Sequence, residues 1–167
     1  GKTRWKQVYA GKGYNRTARK HVQYGPVPVA ADGKVFHLGT CGRIYCVELA
    51  TGKPLWESDL GDYPEHYKKA AATMQVVAEV KDGVSGAFGR PLVNPLGVIG
   101  GVLMVKADRL YAYDTATGKE LWKLDGVDRL PSPAKIGGAV YAFCAGGGQN
   151  MRLVEPKTGK VVWTQKC

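Results

Sequence analysis

Residues 109–122 read RLYAYDTATGKELW, and the same grammar returns twice, as RIYCVELATGKPLW over residues 43–56 and MRLVEPKTGKVVW over residues 151–163. In each, an apolar run with strand character ends on an acid (Asp114, Glu48 or Glu155), a Thr-Gly turn follows, and a short second run carries a tryptophan. Glycine suits that turn because it takes positive φ without a Cβ clash. A fourth copy of the Gly-Lys-x-x-Trp ending opens the chain as GKTRW, so the tryptophans fall at Trp5, Trp56, Trp122 and Trp163, with spacings of 51, 66 and 41 residues.

Upstream, each unit adds a glycine-led apolar run, as in GVLMV at residues 101–105, and before it a proline-containing segment: GPVPVAADG, RPLVNPLG or LPSPAKIG. That makes four short strands per repeat. The shortest spacing lies in the range of about 40–50 residues for one four-stranded propeller blade. A sheet of this size cannot bury both faces alone, so like sheets must stack. The tryptophan is large enough to fill the gap between two such sheets, and its indole N–H needs an acceptor there.

The expected fold is therefore all-β: part of a β-propeller, with three four-stranded antiparallel blades and one strand of a preceding blade. Residues 1–167 divide as one partial propeller domain. Residues 1–10 form the last strand of a preceding blade, 25–60 blade one, 61–89 an inter-blade insertion, 90–127 blade two and 130–167 blade three. Within the insertion, Asp62 and Glu65 have capping-box spacing, and Tyr67, Ala71, Met74 and Ala78 recur at helical intervals, which predicts a helix. Propellers close with about 4–8 blades. The segment is thus expected to pack against the rest of the same propeller or against other protein chains.

On these residues the chain resembles the quinoprotein-like (PQQ-type) β-propeller repeats, whose blades carry Ala-x-Asp-x-x-x-Gly-x-x-x-Trp. Ala112, Asp114, Gly118 and Trp122 match every position; Cys46, Glu48, Gly52 and Trp56, and Leu153, Glu155, Gly159 and Trp163, depart at the alanine and the aspartate. The resemblance implies structural docking by Trp5, Trp56, Ala112, Asp114, Gly118, Trp122, Gly159 and Trp163.

The formal charge is +10, and residues 1–25 hold Lys2, Arg4, Lys6, Lys12, Arg16, Arg19 and Lys20 with no acid. In a propeller the links between blades share a face with the turns between second and third strands, here TCGR, KADR and AGGGQN. Loops on a rigid scaffold usually hold function. Lys12, Arg16, Arg19, Lys20, His21, Arg43 and Arg109 are therefore the candidate partner-binding face, with an anionic ligand possible at the basic loop. Nucleic acid is not the expected partner.

Catalytic signals are sparse. His21, His37 and His66 show no metal-ligand spacing, Ser85 lacks a nucleophile-elbow setting, and nothing beyond residue type singles out Asn94. Cys41, Cys46, Cys144 and Cys167 allow three pairings; Cys46 and Cys144, in strand segments, read as buried thiols. Quinoprotein alcohol dehydrogenases, which the repeat also resembles, often carry adjacent cysteines, calcium-binding carboxylates and a catalytic aspartate; no Cys-Cys pair occurs here. The resemblance implies a non-catalytic binding or scaffolding propeller needing no cofactor, in the periplasm, at the outer membrane or secreted. The alternatives are part of a PQQ- and calcium-dependent dehydrogenase, or a sensor or carbohydrate-recognition propeller. No run approaches the roughly 20 apolar residues of a membrane-spanning helix.

Overall fold

Three turns with the same backbone start the three sheets. Asp32-Gly33 has φ of 49° and 72°, Gly100-Gly101 57° and 76°, and Gly137-Gly138 56° and 84°. Two successive residues at positive φ are what a two-residue type I′ hairpin requires, and its twist matches that of the flanking strands. Each turn closes a first strand onto a second: β1 (Val29–Ala31) onto β2 (Lys34–Leu38), β5 (Leu96–Ile99) onto β6 (Val102–Lys106), and β9 (Ser132–Ile136) onto β10 (Ala139–Gly146). The third and fourth strands are β3 (Arg43–Glu48) and β4 (Pro54–Asp59), β7 (Leu110–Asp114) and β8 (Glu120–Leu124), and β11 (Asn150–Val154) and β12 (Val161–Lys166).

The computed structural model describes residues 2–6, 28–38, 43–60, 96–106, 109–128, 130–146 and 150–166. They form three four-stranded antiparallel meanders, ordered β1-β2-β3-β4, β5-β6-β7-β8 and β9-β10-β11-β12, with no helix among the described residues. The helix expected within 61–89 lies outside them. Residues 2–6 join no ladder among the described residues; their anchor is the Trp5 side chain, described below.

The third and fourth strands are joined by the Thr-Gly turn, which repeats closely. The acid's amide donates to the lysine carbonyl (Glu48 to Lys53, Asp114 to Lys119, Glu155 to Lys160, each 2.9 Å), and the glycine amide donates back to the acid's carbonyl at 2.8–2.9 Å. Gly52, Gly118 and Gly159 sit at φ of 72–73°. In all three sheets a register shift follows, between Cys46 and Val47, Ala112 and Tyr113, and Leu153 and Val154. This bulge sets Cys46 opposite Trp56, Ala112 opposite Trp122 and Leu153 opposite Trp163. The three tryptophans thus occupy one register position in three sheets.

The backbone forms two compact units, Gly1–Leu92 and Val93–Cys167. In the first, Phe36, Ile44 and Cys46 are fully buried, and the Phe36 and Trp56 rings lie 5.9 Å apart. In the second, Met104, Leu110 and Ala112 of one sheet pack with Ala142, Cys144 and Val154 of the next, and Trp122, Leu124 and Leu130 cover the cluster. The alternation along β10 explains this pairing: Ala142 and Cys144 face the cluster, while Tyr141 and Phe143 point the other way and remain half-buried.

Candidate functional site

Why the tryptophan and the turn belong to one device follows from what each leaves unsatisfied. The turn exposes backbone amides and a carbonyl, and the indole brings a single donor into partly buried surroundings. The acid serves the amides. Asp114 Oδ1 accepts from the amides of Ala116 (3.0 Å) and Thr117 (2.8 Å) and from the Thr117 hydroxyl (2.9 Å). Glutamate does the same work despite its extra methylene: Glu155 accepts from the Lys157 and Thr158 amides at 3.2 and 2.7 Å, and Glu48 accepts from the Thr51 hydroxyl. The Thr158 bond and these amides hold the Glu155 carboxyl below the usual carboxylate range. The threonine hydroxyl then accepts from the lysine amide two residues on, at 3.1 Å in Thr51, 3.3 Å in Thr117 and 3.2 Å in Thr158.

The carbonyl just after the acid takes the indole. Trp122 Nε1 donates to the Pro156 carbonyl at 2.8 Å, and Trp5 Nε1 donates to the Leu49 carbonyl at 2.9 Å. In both cases the ring lies flat against the turn glycine. A methyl group on Gly159 would sit 2.6 Å from Trp122 Cγ, and one on Gly52 would sit 2.5 Å from Trp5 Cδ2. Glycine is therefore needed twice at this position, for its φ and for the missing Cβ. Trp163, on the last described strand, is 42% exposed.

At the far end of the third and fourth strands lies a second recurring contact. Arg43 Nε donates to Asp59 Oδ1 at 2.8 Å, and its terminal nitrogens reach Asp59 Oδ2 and Glu57 Oε1, both at 3.3 Å. Asp59 is the main reason the Arg43 guanidinium titrates above its ordinary value. Arg109 Nε lies 3.0 Å from Asp125 Oδ1. Each arginine stands three residues before the motif's first position and each aspartate three after the tryptophan, so these are equivalent pairs. The third sheet replaces them with Asn150 opposite Lys166, while Arg152 donates to the carbonyls of Asp125 and Gly126. The side chains of the Arg43 and Arg109 ion pairs are exposed, so each pair contributes only about 0–1 kcal/mol and is screened by salt.

Of the candidate partner-binding residues, Arg43 and Arg109 are thus each faced by a carboxylate of their own sheet, which lowers the net positive charge they present. Lys12, Arg16, Arg19, Lys20 and His21 lie outside the described residues, as do His66, Ser85, Asn94, Cys41 and Cys167. Sequence reasoning missed Asp59, Asp125 and Arg152, although aligning the repeats places Arg43 over Arg109 and Asp59 over Asp125. His37 is half-buried in β2, and desolvation pulls its imidazole below its ordinary value.

Cys46 and Cys144 are free, fully buried thiols, and burial pushes both up to about 11. A thiol so shielded is almost wholly protonated at neutral pH, and the thiolate is the reactive form. Under native conditions at pH 8, peptides containing Cys46 and Cys144 are expected to stay unmodified by iodoacetamide, and to react in denaturant. Peptide mapping by mass spectrometry checks this; rapid native labelling of either would contradict the buried placement.

Among the described residues, no three His, Cys, Asp or Glu side chains converge as metal ligands would. The acids of the Thr-Gly turns are already engaged by their own turns.

Comparison with known proteins is consistent with this geometry. Residues 1–167 match the protein family described as outer membrane protein assembly factor BamB. Among solved structures, BamB from Moraxella catarrhalis is similar at 14% identity and a TM-score of 0.51, over 80% of this chain and 33% of that one. A europium-containing methanol dehydrogenase is similar at 15% identity and a TM-score of 0.52, over 85% of this chain and 32% of that one. At such identities these likenesses show the fold, a β-propeller built of PQQ-like repeats. The chain spans about a third of the length of both structures. No curated protein gives a significant match.

Proposed function

Since this chain belongs to the PQQ-like repeat family described as outer membrane protein assembly factor BamB, we propose that it is a non-catalytic binding and scaffolding segment of a β-propeller that engages protein partners in the cell envelope. The observation that carries this reading is how the repeat uses its polar side chains. Asp114 and Glu155 close turns, Trp122 locks one sheet onto the turn of the next, and Arg43 and Arg109 pair with carboxylates of their own sheets. Such groups build a rigid frame, and they leave recognition to the loops it displays. The basic loop at residues 12–21 is the proposed contact for an acidic protein surface, and no cofactor is required. Among the described residues no helix is long and apolar enough to cross a membrane.

The test has two arms. Immobilised polyglutamate is expected to retain the purified chain at low salt, to release it as ionic strength rises, and to lose it when Lys12, Arg16, Arg19 and Lys20 are all changed to glutamate. Retention unchanged by those four substitutions would remove the basic loop from the reading. In the second arm, PQQ and calcium are added with an alcohol or glucose and an electron-accepting dye, and no turnover is expected. Dye reduction that disappears on chelation would replace the scaffold reading with a quinoprotein dehydrogenase.

A further inference from the structure

We draw no further inference here: the strongest candidate, the apolar face of the third sheet formed by Tyr141, Phe143, Leu153 and the exposed Trp163, carries nothing beyond the stacking of like sheets that the fold already entails, because nothing among the described residues shows what covers it.

Discussion

Replacing Trp122 by alanine is expected to destabilise the Val93–Cys167 unit by about 3 kcal/mol, read as a lowered denaturant midpoint at an unchanged slope. Full burial would place a tryptophan-to-alanine change at about 3–5 kcal/mol, and the lower end applies because the ring is only half-buried. Three losses combine. The ring no longer covers the cluster of Met104, Ala112, Cys144 and Val154, the face of Gly159 loses its packing partner, and the Pro156 carbonyl loses the indole N–H. The last loss is the smallest, since water can reach that carbonyl once the ring is gone. Against a typical domain stability of about 5–15 kcal/mol, this is a large fraction. A cost below about 1 kcal/mol would mean that the indole is not docked. Trp122→Phe should recover much of the loss, because it keeps an aromatic ring and gives up only the N–H bond and part of the area.

Gly159→Ala is expected to be nearly as damaging, at about 2–4 kcal/mol, for two separable reasons. At φ of 72° any L side chain is strained, which costs about 1–2 kcal/mol. The new methyl group would also lie 2.6 Å from the Trp122 ring, so the ring must shift or leave, adding about 1–2 kcal/mol. Gly101→Ala separates the two: that residue has the same left-handed conformation, at φ of 76°, but open space around the missing Cβ. Its cost should therefore be the strain alone. Equal costs at Gly101 and Gly159 would show that the ring does not press on the turn.

Most of the architecture was legible because the repeat writes it in residues with few conformational options. Thr-Gly marked the turn after the third strand, the tryptophans marked the fourth, and the glycines before β6 and β10 marked the hairpins whose positive φ values the structure shows. The docking chemistry was only half legible. Trp122 announces a donor, but its acceptor is the Pro156 carbonyl, a backbone group that any residue supplies and no side chain advertises. Glutamate stands in place of aspartate at positions 48 and 155, and the structure shows the longer side chain reaching the same turn groups. Arg43 and Arg109 looked like free surface cations because their partners, Asp59 and Asp125, are sixteen residues further along and are brought near only by the hairpin register. The basic segment at residues 12–21 has charge but no repeating pattern, so the repeat that places the sheet residues gives no reading of it.

The central claim is that Trp122 docks on the turn glycine Gly159 of the neighbouring repeat, as Trp5 does on Gly52, and a double-mutant cycle between Trp122→Ala and Gly159→Ala tests it most directly. If the ring lies on the glycine as the structure places it, deleting the ring removes the clash and leaves only the strain. The cost of Gly159→Ala should then fall from about 2–4 kcal/mol to about 1–2 kcal/mol in the Trp122→Ala background, a coupling of at least about 1 kcal/mol. Costs that simply add, within about 0.5 kcal/mol, would mean that the two residues do not touch and would contradict the docking account.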